Sequence, residues 1–568
     1  MTQYTGAQAI VKCLLEEGVK TIYGYPGGAV IDLYDELIAC KDIKHVLVRH
    51  EQAAVHAADG HARVTGEVGV CLLTSGPGAT NGVTGIATAY MDSIPIVILT
   101  GQVSTPMIGN DAFQEVDIVG ITRPCTKHNY LVNAKEDLVQ TIREAFHIAR
   151  TGRPGPVLVD LPKDIQQNLL TYEEKKPIKM RNYQPTCDPD MDQVARACQL
   201  IMEARKPVLY VGGGAVLSEA DKELFELATK LDIPVTPTLM GLGAFPGSHE
   251  LCMGMLGMHG TYTANMAVAK CDLLISIGAR FDDRVTGTLE TFAPNARIIH
   301  VDIDPTSISK NVVVEVPIVS DCKKALTAMN TWFNNEQNIS LMQEKDKHHE
   351  WFAQIKEWNE RHPLSYEDEG NDVIKPQYVV EMLDKLTNGE AIVATEVGQH
   401  QMWAAQFYRF NHPRHFLTSG GLGTMGYGFP AAIGAKMARP EKTVIDIAGD
   451  ASIQMNIQEL ATAKQYKCPV KIAILNNQFL GMVRQWQELF YDKHYASTAM
   501  EVAPDFVALA EAYGAVGLRA TKKNEVEDVI KEALAVDNTV LMDFKISREE
   551  GVYPMVPAGK STTEMLLV

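Results

Sequence analysis

The stretch Thr443–Asn477, TVIDIAGDASIQMNIQELATAKQYKCPVKIAILNN, confines the chain to parallel α/β folds. Thr443–Ala448 is a short β-branched run that ends at Gly449-Asp450. Ala451-Ser452 opens a helical pattern that Gln458–Tyr466 continues, and Pro469 ends the connection. Lys471–Leu475 is a second β-branched run, stopping on Asn476-Asn477. Two strands joined through a helix make a βαβ crossover, and open parallel sheets bind ligands beyond the carboxyl ends of their strands. Asp450 and Asn477 stand at those ends. One carboxylate and one amide oxygen suit a hard octahedral cation such as Mg²⁺, which fills its shell with water or phosphate oxygens. N–H groups opening the helix at Ala451 and Ser452 would favour the phosphates. An ordinary βαβ unit with an aspartate at a helix N-cap fits the same residues, and this stretch alone does not separate the two.

At 568 residues the chain has room for about three or four domains. With 46% hydrophobic and 21% charged residues it can bury large cores. Many of its 43 glycines follow directly on apolar runs, the punctuation of α/β proteins. The plan of strand, Gly-rich turn and helix recurs three times at a spacing of about 180 residues, so three related, doubly wound α/β domains with parallel sheets are expected. Residues 1–165 hold runs at Thr21–Tyr25, His45–Arg49, Val68–Thr74, Ile94–Thr100 and Val157–Leu161. Residues 191–345 hold Val208–Val211, Leu273–Ile277 and Ile298–Asp302. Residues 374–550 hold Ile392–Thr395, the opening pair and Val540–Phe544, with a tail at 551–568. These runs are short and nearly continuous, as strands buried on both faces are. The polar stretch 166–190 reads as a linker, and the highly charged, Trp-containing stretch 340–373, helical and then loop, as a second connector.

A net charge of −18 without a basic stripe argues against nucleic acid and anionic membrane as partners. No apolar run reaches the ~18 residues of a membrane span. Ten cysteines, none in a Cys-x-x-Cys pair, fit reduced, packed thiols. With no leader pattern at the start, a cytoplasmic chain is expected, organellar only if a leader has been removed. Gly559-Lys560-Ser561-Thr562 ends like a P-loop, but Pro554 stands where the first glycine belongs, so it reads as tail.

In HEQAAVHAADGHAR, Glu51 begins a helix directly after a buried strand. Among Ala and Val its carboxyl is expected to be desolvated and its pKa raised, which suits a group that shares a proton with a cofactor ring. Taken alone, a helix-terminal glutamate held by the helix dipole is the better explanation of the residue. His50 and His56 lack the i, i+4 spacing of a zinc-binding helix.

Together GYPGGAVIDLYD, RHEQAAVHAADGHAR, SGPGATN, GNDAFQE, GRPGPVLVDLPKDIQ, LGMHG, ARFDDRVTG, GLGTMGYGFPAAIGA, GDAS, LNN and GMVRQWQ run along nearly the whole chain. They resemble the blocks of the catalytic subunits of acetohydroxyacid (acetolactate) synthases, a thiamine-diphosphate (ThDP) enzyme family. The resemblance implies a ThDP pyrimidine-binding domain at 1–165, a FAD-binding domain at 191–345, and a domain for the ThDP diphosphate and Mg²⁺ at 374–550. By that resemblance Glu51 is the cofactor-activating glutamate, and Asp450, Asn477 and the carbonyl of Phe479 hold Mg²⁺. Val397, Gly398, Gln399 and His400, with Gly449, Ala451 and Ser452, grip the diphosphate. The Gly423 carbonyl accepts from the aminopyrimidine and Met425 holds ThDP bent, although a methionine also serves as plain core filling. Met482 and Trp486 line the pocket for the second substrate; a large aromatic such as Trp486 also packs well in a core or interface. Gly27, Phe113, Gln114 and Lys163 reach the site from the neighbouring chain. The flavin positions are Arg153, Gly212, Gly213, Thr238, Leu239, Met258, His259, Gly278, Arg280, Asp302, Ile303 and Asp321, with Arg280 suited to a diphosphate. Gly212–Gly214 after a strand lets a pyrophosphate approach, but no G-x-G-x-x-G is present. FAD, in a non-redox role, rests on the resemblance.

The implied reaction is ThDP-dependent decarboxylation of pyruvate with transfer of the hydroxyethyl unit. A second pyruvate gives 2-acetolactate and 2-oxobutyrate gives 2-aceto-2-hydroxybutyrate, the first common step of branched-chain amino acid biosynthesis. A ThDP- and FAD-dependent pyruvate oxidase or 2-keto acid decarboxylase is the alternative of similar architecture; Gln485-Trp486 and ARFDDRVTG speak against it. A homodimer or dimer of dimers with the active site between chains is implied. A separate small regulatory subunit is expected too, since little chain follows the third domain.

Overall fold

The computed structural model describes residues 3–335 and 348–567. Three parallel sheets form its core. In the first, the strands lie in the order Lys44–Leu47, Thr21–Tyr25, Gly69–Leu73, Ile96–Gln102, Val157–Pro162, His128–Leu131. The second runs Val235–Pro237, Pro207–Val211, Leu273–Ile277, Arg297–Asp302, Val316–Val319. The third runs Phe416–Leu417, Ile392–Thr395, Val444–Gly449, Lys471–Asn476, Val540–Lys545, Val516–Ala520. Every residue of Gly69–Leu73, Leu273–Ile277 and Val444–Gly449 is buried, because helices cover both faces of a doubly wound sheet and most side chains on both sides are apolar; Asp446 is an exception, a fully buried carboxyl without a hydrogen-bond partner. Counted within each unit, the first and third sheets share the order 2-1-3-4-6-5, and the middle sheet is 2-1-3-4-5. A short antiparallel pair, Gln3–Thr5 with Leu169–Thr171, ties the ends of the first unit together.

In all three sheets the order reverses between the first and third strands. The loops leaving those two strands part to opposite faces, and a crevice opens between them. It is bounded by Gly27-Gly28 and Thr74–Gly78 in the first unit, by Gly212–Gly214 and Gly278 in the second, and by Glu396–Gly398 and Asp450 in the third. Closeness selects glycine here: a Cβ on Gly212 would collide with the Gly278 carbonyl, and one on Gly27 with the Thr74 side chain.

The helix Glu51–Thr65 of the first unit packs backbone to backbone on Gly428–Ala438 of the third; a Cβ on Gly60 would strike the Ala431 carbonyl, and one on Gly434 the Ala57 carbonyl. Beside this seam the buried Arg63 pairs with Asp59 (2.6 Å) and Asp92 (2.8 Å). Tyr427 donates to Asp59 (2.6 Å), and Asp92 accepts from the N–H groups of Gly420 (3.1 Å) and Gly421 (2.7 Å). The ion pairs lie within the first unit and, since removing one member of a buried pair costs about 3–5 kcal/mol, they hold Asp59 and Asp92 in place; the bonds that cross to the third unit are those from Tyr427, Gly420 and Gly421.

Two expectations change. The helix expected from Ala451 onward is a turn, then a 3₁₀ run over Ile453–Glu459 that breaks at Asn456 (φ −132°), and an α-helix only over Leu460–Gln465. The break lets the Asn456 side chain donate to the Gly426 carbonyl (2.6 Å). The stretch 340–373 is more than a connector. Residues 340–347 lie outside the described residues, but His349–Arg361 is a helix that buries Trp351 and Ile355 in the middle unit's core, with Trp351 donating to the Pro207 carbonyl (3.2 Å). Among the described residues no helix is long and apolar enough to cross a membrane.

Candidate active site and cofactor cavity

The strands Val444–Gly449 and Lys471–Asn476 run side by side with Gly449 opposite Leu475, so Asp450 and Asn477 emerge at one edge. Asp450 is 1% exposed and neither of its oxygens has a hydrogen-bond partner; burial pushes its carboxyl up to about 6. A buried, unpartnered carboxylate is costly unless a cation meets it. Asn477 Oδ1 accepts from the Phe479 N–H (3.0 Å), which ties two of the three expected ligands, Asn477 and Phe479, into one turn. Among the described residues no group of three or more His, Cys, Asp or Glu could hold a metal. A cation at Asp450 therefore draws on amide and carbonyl oxygens and on ligands from outside the chain, as Mg²⁺ commonly does.

His400 is wedged between the two neighbouring turns: a Cβ on Gly398 or on Gly449 would lie 2.7 Å from its ring. Burial lowers its pKa to about 3, so the imidazole is neutral. Gln399 accepts from Asn477 Nδ2 (3.3 Å) and donates to Gln485 Oε1 and the Glu550 carbonyl (2.9 Å each). Ala451 and Ser452 lie in the turn, so any anion they meet faces turn N–H groups and not the end of an α-helix.

Glu51 is the first residue of its helix, behind His50, whose Nδ1 accepts from the Gln52 N–H (3.2 Å). One of its oxygens accepts from Asn81 Nδ2 (3.0 Å), and the other lies 3.3 Å from where a Cβ on Gly78 would stand. The carboxyl is half-buried, which corrects the expected desolvation. The Ala and Val of this helix face the core seam, while its first turn sits at the open crevice of the first sheet. The main chain of Gln114 (φ 59°) rests on Gly76, and Phe113 beside it is 88% exposed. Lys163 opens the helix Lys163–Gln167 at the end of the strand Val157–Pro162. Gly27, Glu51 and Gln114 thus meet around the turn Thr74–Gly78. Among the described residues, no hydrogen bond or ion pair joins Glu51 to Asp450.

A cavity of about 840 Å³ lies between the three units. All twelve positions matched to the flavin line it, and Val397, Gly398, Gly423, Met425, Met482 and Trp486 line it as well. Small-molecule sites run roughly 300–1,000 Å³, so the space suits a dinucleotide-sized group. Two guanidiniums in the wall already have carboxylate partners, Arg153 with Asp304 (3.0 Å) and Arg280 with Asp282 (3.6 Å). Met482 and Trp486 stand one turn apart on the helix Gly481–Phe490, and Arg284 lies over the Trp486 ring at 6.0 Å. Arg63, Asp92 and Arg284 also line the cavity and were not among the expected residues. The i, i+4 spacing of Asp59 and Arg63 was a readable signal for the first, and Arg284 lies within ARFDDRVTG; Asp92 becomes visible only once the fold brings it in.

The N-terminal TPP-binding domain of thiamine pyrophosphate enzymes matches residues 4–121, their central domain residues 194–329, and their C-terminal TPP-binding domain residues 396–544. The chain is 52% identical to the acetolactate synthase isozyme 3 large subunit of Escherichia coli K12, over 100% of this chain and 99% of that protein. It is 50% identical to the acetolactate synthase large subunit of Haemophilus influenzae, over 100% and 99%. Identity to that of Corynebacterium glutamicum is 51%, over 99% of this chain and 90% of that protein.

Proposed function

The chain belongs to the acetolactate synthase large subunits, a family of ThDP enzymes, and from that premise we propose how its residues divide the work. Its reaction is acetolactate synthesis: pyruvate loses CO₂ and its two-carbon unit joins a second 2-keto acid, pyruvate or 2-oxobutyrate, which opens branched-chain amino acid synthesis. ThDP, when bound, supplies the electron sink for the decarboxylation. Residues 374–550 grip its diphosphate, with Asp450, Asn477 and the Phe479 carbonyl on Mg²⁺, and Val397–His400 with the turn Gly449–Ser452 on the phosphate oxygens. The Gly423 carbonyl orients the aminopyrimidine and Met425 gives it an apolar ledge. Residues 1–165 supply Glu51, whose carboxyl holds a proton at the pyrimidine ring. Met482 and Trp486 wall the second-substrate pocket and exclude water. Residues 191–345 hold FAD in the cavity; the net reaction transfers no electrons to an acceptor, so the flavin serves as structure.

The open crevice around Glu51 and its separation from Asp450 support a homodimer, or a dimer of dimers, in which Gly27, Glu51, Phe113, Gln114 and Lys163 of one copy complete the site of the other. A separate small regulatory subunit and a cytoplasmic location belong to the same reading. The observation that carries it is Asp450, buried at a strand end with both oxygens unpartnered. The test is to incubate the purified chain with pyruvate, ThDP, Mg²⁺ and FAD. Acetolactate is the expected product, lost when Mg²⁺ or ThDP is left out. Acetaldehyde or acetate as the main product would support the decarboxylase or oxidase alternative instead.

A further inference from the structure

The Gly-rich segment from Ser419 to Phe429 carries Gly423 and Met425, yet it has few side chains of its own with which to hold a shape. Gly423 (φ 69°) and Gly426 (φ 82°) sit in the left-handed region, so its main chain must be held from outside. Two buried carboxylates do this. Asp92 takes the N–H groups of Gly420 and Gly421 at one end and is itself paired with Arg63. At the other end Glu396, fully buried, takes the N–H groups of Gly426 (2.6 Å) and Phe429 (3.1 Å) and the hydroxyl of Ser452 (2.7 Å). Asn456 grips Gly426 from its other side, donating to the carbonyl of the next peptide (2.6 Å). Gly423 and Met425 therefore lie on an arch strung between the two carboxylates. The Glu396 end is fastened, through Ser452, to the turn that bears Asp450. Hydrogen bonds from main-chain N–H to a carboxylate are the strong kind, and each donor left without a partner in this interior would be costly.

We propose that Glu396 is a positioning residue: its carboxylate locks the Gly423–Met425 arch to the Asp450 turn and so fixes the ledge on which the cofactor is held bent. This rests on the ThDP reading above. Glu396 touches neither the cofactor nor the substrate in that reading. It acts through Gly426 and Ser452. Gln keeps one acceptor oxygen and turns the other into a donor facing N–H groups; Ala removes both acceptors.

The test uses the full chain with Glu396→Gln, Glu396→Ala and Asn456→Ala. Affinities for ThDP with Mg²⁺ and for FAD are measured by titration, and amide hydrogen exchange is followed over 419–429. Glu396→Ala is expected to weaken ThDP binding at least tenfold and to speed exchange of the arch amides at least tenfold, with FAD affinity within twofold of the parent. Glu396→Gln is expected to fall between Ala and parent. The double variant of Glu396→Gln with Asn456→Ala is expected to be non-additive, because the two groups hold the adjacent peptides on either side of Gly426. Parent-like ThDP affinity and arch exchange in folded Glu396→Gln and Asn456→Ala chains would overturn the proposal. So would exchange that quickens equally across the third unit together with a matching loss of FAD, since that is general destabilisation. If the parent itself failed to bind ThDP, the ThDP reading would fall, and the exchange arm would still decide whether Glu396 holds the arch.

Discussion

The two ends of the proposed cofactor site are finished to different degrees in one chain. At the Asp450 end the strand ends, the His400 wedge and the Gln399–Gln485–Glu550 hydrogen bonds enclose a buried carboxyl group. At the Glu51 end the carboxyl is half-buried, Gln114 is exposed, and Phe113 projects at 88% exposure. Yet the two ends grow from sheets with the same strand order, 2-1-3-4-6-5. The same topology yields a closed half-site in one unit and an open half-site in the other. A shared fold positions a crevice, then, but the chemistry of the loops decides whether one chain can complete it. In the proposed reading, a second copy meets the open half.

Four outcomes would break or sharpen this contrast. The largest effect is expected at the open end. Glu51→Gln keeps the shape but cannot hold the carboxyl proton, so hydrogen–deuterium exchange at ThDP C2 should slow by roughly 10²–10⁴-fold, the usual reach of acid–base groups, while ThDP still binds. Exchange at the parent rate would remove Glu51 from its role. At the closed end, Asp450→Ala should weaken ThDP binding by at least the roughly 10–100-fold that even supporting groups of a metal site carry, with FAD affinity kept. Equal loss of both cofactors would mean that the variant had disturbed the fold.

Trp486 tests what the cavity wall does. The second substrates differ by one methylene, for which a pocket gains about 1–3 kcal/mol. Trp486→Leu should still form acetolactate but lose much of any preference for 2-oxobutyrate when the two keto acids compete. An unchanged product ratio in a folded variant would make Trp486 packing only.

The smallest effect concerns acid. Burial lowers His45 to about 4, His56 to about 3 and His61 to about 4 in the first unit. Each is neutral when folded and protonated when unfolded, so its stabilisation is present above pH ~6.5 and lost as pH falls. Against them the first unit sets Asp160, pushed up to about 7 by burial; such a raised carboxyl stabilises at low pH and loses that contribution as pH rises through 7. In the third unit His400 (about 3) and His415 (about 4) are offset by Glu459, raised to about 7, by Asp450, raised to about 6, and by Glu396, which burial also pushes up. Each unbalanced proton is worth about 1.4 kcal/mol per pH unit. Between pH 6.5 and 5 the first unit should therefore loosen before the third, as read by amide exchange in the cofactor-free protein. Equal loosening would show that the seam at Gly60 and Gly434 makes them one cooperative unit.

What was legible in the sequence divides along the same physical lines. Strands at sheet centres, such as Leu273–Ile277 and Lys471–Asn476, stood out because burial on both faces forces a continuous apolar run. The strands not foreseen in the three sheets are His128–Leu131, Val235–Pro237, Val316–Val319, Phe416–Leu417 and Val516–Ala520, all at sheet edges. They are short, or half-exposed as in His128–Leu131 and Val516–Ala520, so no such run marks them. Residues directly after central strands, Asp450, Asn477 and Gly212, were readable for the same reason. Glu396 also follows a central strand, but its role depends on donors thirty or more residues away, and no local pattern reports that. The composition around Ala451 permits a helix, but the segment is a turn there; the hydrogen bond from Asn456 to the Gly426 carbonyl is a tertiary effect that local composition does not report.

The contrast itself can be tested in one tube. Glu51→Gln chains and Asp450→Ala chains, each inactive alone, are mixed one to one under conditions that exchange subunits. If each site takes Glu51 from one copy and Asp450 from the other, half of the dimers are mixed and each has one intact site. Acetolactate formation should then recover to about a quarter of the parent rate. Activity that stays at background after exchange has been verified would contradict a site completed by a second copy.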